Sequence, residues 1–185
     1  STDQGGLSFE KAFLITITDA VEGGIINGDF EAGVTGWAEY SSHGWDIIML
    51  SSEIDGVYAH SGNWLAYLAG GDSETSSISQ FITIPSGMSY LHYWYWIESE
   101  DSCGYDYFRV KIGATTVRTQ NLCYSSSTGG WVHGSIDLSL YANVPLTLKF
   151  EVIKDSSYVS LIFLDDIYLA STATASPESF VPGAL

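Results

Sequence analysis

Four kinds of residue in this sequence could do chemistry: scattered histidines, clustered carboxylates, a run of aromatics and two cysteines. His43, His60, His92 and His133 lack metal-ligand spacing. No G-x-S-x-G elbow, H-E-x-x-H pair or phosphate-cradling glycine loop is present, so the chain reads as non-catalytic. A Ser-His-Asp triad assembled in space is the one catalytic arrangement that spacing leaves open. Glu98, Glu100, Asp101 and Asp106 gather around Cys103. They read first as a solvated loop and second as a Ca²⁺ site, because a hard cation takes several oxygens. In the segment 90–97, Tyr90, His92, Trp94 and Trp96 fall on one side of a strand, and Leu91, Tyr93, Tyr95 and Ile97 on the other. One side must enter a core. The other is either an aromatic platform for a sugar ring or a surface buried under a loop or a second subunit.

The cysteines are positioned by their surroundings. Segments 105–112 and 115–123 read as two strands joined by a turn near Gly113-Ala114. Folding that hairpin brings Cys103 and Cys123 opposite each other, at the Cα separation a disulfide needs. The expectation is a bond and an oxidising compartment; the alternative is two buried thiols. Charge points outward as well. Six Lys+Arg against 22 Asp+Glu give a formal net charge of −16. Such a field repels phosphate, which argues against nucleic acid and anionic lipid. No apolar run reaches the roughly 20 residues that span a bilayer, so membrane insertion is not expected. No basic stretch followed by an apolar one opens the chain, so Ser1 reads as a mature or trimmed start.

The elements that must position these groups are strands. Apolar residues recur with period two, and turn residues interrupt them every 8–15 positions. That pattern predicts an all-β, antiparallel jelly-roll β-sandwich preceded by an N-terminal extended strand. Strands are expected at 25–31, 45–51, 64–69, 76–84, 90–97, 105–112, 115–123, 131–138, 146–153 and 159–169. Residues 1–24 form an arm and hinge, 25–170 the sandwich, and 171–185 a tail or linker. In the arm, Phe9, Phe13, Ile15 and Ile17 share one face. Trp37, Trp64 and Trp131 are assigned to the core.

Three landmarks carry a family resemblance. Asn27-Gly28-Asp29-Phe30-Glu31 followed by Gly36-Trp37, then His60-Ser61-Gly62-Asn63-Trp64-Leu65-Ala66, then Phe163-Leu164-Asp165-Asp166-Ile167-Tyr168-Leu169 resemble the landmarks of family 4 and family 22 carbohydrate-binding modules. MAM-type adhesion domains share them in the same order. The stretches from Tyr93 to Ile97 and Cys103 to Asp106, with Thr128–Trp131 and Asp155–Ser157, resemble jelly-roll modules of large secreted bacterial proteins, including those appended to immune-inhibitor-A-like peptidases. Residues 1–13 resemble the last strand of a bacterial cadherin-like repeat. The resemblance implies a structural Ca²⁺ held by the side chains of Glu31 and Asp165, with backbone carbonyls near His60 and Asn63 adding to the shell. It also implies an extracellular or cell-surface, bacterial setting.

Two roles follow. In the first, the protein is a structural subunit of a surface fibre, whose arm inserts into another copy by strand addition and propagates head to tail. In the alternative, it is a carbohydrate-binding or adhesion module of a larger secreted protein, with polysaccharide as its partner.

Overall fold

The computed structural model describes residues 24–173. The arm residues Phe9, Phe13, Ile15 and Ile17, and the tail beyond residue 173, lie outside that range. Ten strands follow one another: β1 (Ala38–Ser41), β2 (Ile48–Leu50), β3 (Trp64–Leu68), β4 (Thr75–Thr83), β5 (Tyr90–Ser99), β6 (Tyr107–Ile112), β7 (Thr115–Asn121), β8 (Val132–Asp137), β9 (Pro145–Ile153) and β10 (Ser160–Ala170). The only helical pieces among the described residues are three single 3₁₀ turns.

The strands form two antiparallel five-stranded sheets, ordered β1-β4-β9-β6-β7 (sheet A) and β2-β3-β10-β5-β8 (sheet B). Sandwich packing follows from alternation. Phe108, Val110 and Ile112 of β6, with Leu148, Phe150 and Val152 of β9, meet Leu91, Tyr93, Tyr95 and Ile97 of β5 in one core. Fully burying a side chain of this size is worth about 1.5–3 kcal/mol. Trp37 is buried in that core, and Trp64 packs against it. Trp131 packs instead against a second, smaller cluster on the outside of sheet B.

The β6–β7 hairpin turns at Gly113, whose φ of +56° is open to glycine at little cost. Cys103 and Cys123 beside it are joined, with Cα atoms 4.9 Å apart.

One expected strand is absent. Residues 25–31 form successive turns, with N–H to C=O bonds from Phe30 to Asn27 and from Gly33 to Phe30. The cause is local. The Asn27 carboxamide accepts the Ala32 N–H and donates to the carbonyls of Gly33 and Thr35, offering the backbone an alternative to a ladder. Asn27 and Phe30 sit at φ of +52° and +57°. Phe30 still enters the core at zero exposure. The edge of sheet A is supplied by β1, which pairs Tyr40 with Ser77.

Candidate functional site

The aromatic strand β5 has its outer side partly covered. Tyr90, His92, Trp94 and Trp96 do face away from the core, as alternation requires. His92, however, has zero exposure. Its ring stacks on Tyr168 at 4.9 Å, its Nδ1 lies 2.8 Å from His133 Nε2, and its Nε2 lies 2.7 Å from the Thr172 carbonyl. Burial, with the neighbouring His92 and His60, holds His133 below the ordinary imidazole value. His60 lies flat on Trp94 at 3.9 Å. Trp96 meets the edges of Trp131 and Phe163, and its indole nitrogen is enclosed. Ile54 and Val57, from the segment 51–63, close over Leu65, Leu161 and Phe163. Trp131 Nε1 donates to the Tyr58 carbonyl at 2.8 Å and pins that segment down. Sheet B therefore carries a second, smaller apolar layer at Trp96, with His92 closed off and Tyr90, Trp94 and Trp96 left partly exposed.

Glu31 and Asp165 converge on one corner, the segment 60–64. Glu31 Oε1 accepts the N–H groups of Asn63 and Trp64, both at 2.7 Å. Its partial burial works upward, but those two N–H groups and the Asn63 side chain outweigh it and hold the carboxyl below 4.5. Asp165 has zero exposure. It accepts the N–H of Ser61 at 3.0 Å and of Asp166 at 2.7 Å. Burial pushes its carboxyl up to about 8, the adjacent Asp166 charge adds to this, and the amides of Ser61, Asp166 and His60 act against it. A bulge in the β10–β5 pairing between Asp165 and Tyr168, with Asp166 at φ +46°, turns the two carboxylates to different partners. Asp166 takes His60 Nδ1 at 2.5 Å and the Ser61 hydroxyl at 2.8 Å. The corner is tightly built. A Cβ on Gly28 would lie 1.8 Å from the Ile167 carbonyl oxygen, and one on Gly62 would lie 2.3 Å from the Glu31 carboxyl carbon.

A hard cation fits this corner in one respect. Asp165 is an enclosed carboxylate next to another carboxylate, with only N–H groups bonded to it. Glu31 offers a second oxygen on the same segment. Of the expected backbone contributors, the Asn63 carbonyl accepts the Ser51 N–H at 2.8 Å, while His60 directs its ring to Asp166.

The outer face of sheet A is polar and charged, exposed at Tyr40, Phe81 and Thr119, with Ser77 and Glu151 buried within it. Because Phe108, Val110, Leu148 and Phe150 point inward, Tyr107, Arg109, Lys111, Thr147, Lys149 and Glu151 point outward. Register aligns Tyr40, Ser77, Glu151, Arg109 and Thr119 in a row across all five strands. At the usual strand spacing that row spans roughly 19 Å. Tyr40 is 56% exposed and Phe81, further along β4, is 73% exposed. Lys111 and Lys149 bracket Glu151 at 3.2 and 3.4 Å, and Arg109 lies 5.5 Å over the Tyr107 ring. Burial raises the Glu151 carboxyl, but the two lysines overcome this and hold it low. Three cations thus face one carboxylate, on a chain that has only six Lys+Arg. The sequence carried this signal in the alternation of Tyr107, Arg109 and Lys111 with Phe108, Val110 and Ile112. A concavity of about 640 Å³ elsewhere is lined by Glu31, Glu39, Asp46, Glu53 and Trp64, and is acidic.

No protein-family model matches the chain, and no curated protein matches it. Solved structures do. The K2 cleaved adhesin domain of Lys-gingipain aligns at 18% identity over 77% of this chain and 96% of that one, with a TM-score of 0.57. The K3 cleaved adhesin domain of Lys-gingipain from Porphyromonas gingivalis W83 aligns at 14% over 80% and 99%, with a TM-score of 0.58. The carbohydrate-binding module TmCBM61, solved with β-1,4-galactotriose, aligns at 16% over 79% and 97%, with a TM-score of 0.54. At such identities the likeness establishes a shared jelly-roll fold.

Proposed function

We propose that this protein is a non-catalytic, extracellular carbohydrate-binding or adhesion module whose ligand face is the outside of sheet A. One observation carries the reading. That face leaves Tyr40 and Phe81 exposed beside Arg109, Lys111 and Lys149, whereas His92 of β5 is covered by Tyr168 and Thr172, and Trp94 and Trp96 are partly covered by His60 and the cluster under residues 51–63. Aromatic rings against a pyranose, with fixed polar neighbours for its hydroxyls, are what a sugar site requires. The fold shared with adhesin domains and with a module solved on a galactotriose supports the same class. The Cys103–Cys123 bond supports an oxidising compartment. Arg109, Lys111 and Lys149 favour a polysaccharide that carries carboxylate or other anionic groups.

A structural Ca²⁺ held by Glu31 and Asp165 is part of the proposal, as a pin on the corner rather than part of the ligand face. Chelation should lower the melting temperature, and Asp165→Ala should remove that component of the chelator response.

The test is a glycan array probed with the wild-type protein and with Tyr40→Ala and Arg109→Ala. The expected result is binding to acidic polysaccharides that either substitution weakens about tenfold. Binding that both substitutions leave unchanged overturns the assignment of the face. The fibre reading rests on the arm residues Phe9, Phe13, Ile15 and Ile17. An unchanged oligomeric state on deleting residues 1–20 would dismiss it.

A further inference from the structure

The acidic loop between β5 and β6 divides on folding. Glu98 and Glu100 are exposed, while Asp101 and Asp106 are 4% and 0% exposed. Asp155, just after β9, joins the buried pair. One carboxylate oxygen from each of the three lies within 4.8 Å of the other two. Each aspartate is held by a single amide at Oδ1: Asp101 by Ser102 at 2.6 Å, Asp106 by Asp155 at 2.8 Å, and Asp155 by Ser157 at 2.7 Å. The Oδ2 atoms of Asp101 and Asp106 are enclosed and accept no hydrogen bond.

Two enclosed carboxylate oxygens without a partner are costly, and crowding three carboxylates together adds repulsion. The one cation close by does not pair with these carboxylates. Lys154, next to Asp155 in sequence, directs Nζ to Asp72 Oδ1 and to the carbonyls of Asp155 and Ser157. No ion pair reaches any of the three aspartates among the described residues. Rigidity is already supplied. The Cys103–Cys123 bond closes the segment between Asp101 and Asp106 onto the end of the β6–β7 hairpin, and the Tyr124 and Leu122 N–H groups bond the carbonyls of Asp101 and Asp106.

We propose that Asp101, Asp106 and Asp155 bind a Ca²⁺ ion that ties the β5–β6 loop to the β9–β10 loop. The donors are all carboxylate oxygen, which suits a hard cation better than zinc, whose structural sites are built from Cys and His. Ca²⁺ bonds its ligands at about 2.3–2.6 Å, so two oxygens on one ion lie at most about 5 Å apart, which the cluster satisfies. Mg²⁺ retains its water too firmly to take three carboxylates directly. This site is independent of the Glu31–Asp165 corner and of the sheet A face.

Calorimetric titration of the chelator-treated protein with Ca²⁺ alone tests it. Wild-type should bind, and at a free Ca²⁺ of one hundred times Kd its folded-to-unfolded ratio should rise about a hundredfold. Asp155→Asn, at a partly exposed position, should bind one ion fewer per chain with its circular dichroism unchanged. Asp106→Asn, which keeps the Oδ1 acceptor, should do the same. Asp165→Ala should retain this ion, which separates it from one at the other corner. Absence of Ca²⁺ binding by wild-type overturns the proposal. So does an Asp155→Asn protein that binds with wild-type stoichiometry and an affinity within threefold.

Discussion

Replacing Gly62 by Ala should destabilise the protein mainly through Glu31. Gly62 has φ +59°, where a Cβ costs about 1–2 kcal/mol. Its Cβ would also lie 2.3 Å from the Glu31 carboxyl carbon. Glu31 is a flexible side chain, so the clash itself is relieved when the carboxylate swings away. What is then lost is the pair of 2.7 Å bonds from the N–H groups of Asn63 and Trp64. Hydrogen bonds to charged groups are worth about 1.5–3 kcal/mol when buried. Glu31 is exposed, so the pair is worth about 1–2 kcal/mol here. Gly62→Ala should therefore cost about 2–4 kcal/mol in urea denaturation performed in chelator. The mechanism is separable by a double-mutant cycle. In a Glu31→Ala background, Gly62→Ala should cost only its backbone strain of about 1–2 kcal/mol. Strict additivity of the two substitutions would refute the account, because it would show that Gly62 makes no room for Glu31.

Reduction of the Cys103–Cys123 bond, which joins residues 20 apart, should cost about 3 kcal/mol and lower the melting temperature by roughly 6–12 °C, measured by calorimetry with and without reductant. Glu74 gives a pH dependence. Burial pushes its carboxyl up, but hydrogen bonds from His43, Ser41 and Ser42 prevail and hold it below 4.5. A carboxyl lowered in the folded state contributes stability that is present above its unfolded value near 4.5 and lost as pH falls through the folded value. Denaturation midpoints should fall on acidification below about pH 4.5, and Glu74→Gln should flatten that slope.

Much of the sandwich was legible because its strands alternate cleanly. Leu146, Leu148, Phe150 and Val152 alternate with polar residues along β9, and the turn near Gly113-Ala114 between two strand-like segments located the β6–β7 hairpin and set Cys103 opposite Cys123. Strand β1 was not legible. Ala38–Ser41 is four residues long with no buried position, so period two has nothing to mark. Residues 25–31 resembled a strand because sequence patterning does not register the side-chain bonds of Asn27. Strand β5 is aromatic on both sides, and only long-range contacts, with residues 51–63 and with Tyr168 and Thr172, decide how far its outer side is covered. Asp155 could not be joined to Asp101 and Asp106 from sequence, since it lies 49 residues beyond Asp106 and meets it only through adjacent strand ends.

The measurement that bears most directly on function is a ¹H–¹⁵N NMR titration with an oligosaccharide selected from the array. The account predicts perturbations confined to sheet A, at Tyr40, Ser77, Phe81, Arg109, Lys111 and Lys149. Perturbations centred instead on the acidic cleft at Glu39, Asp46 and Trp64, or on residues 51–63 over sheet B, would contradict it.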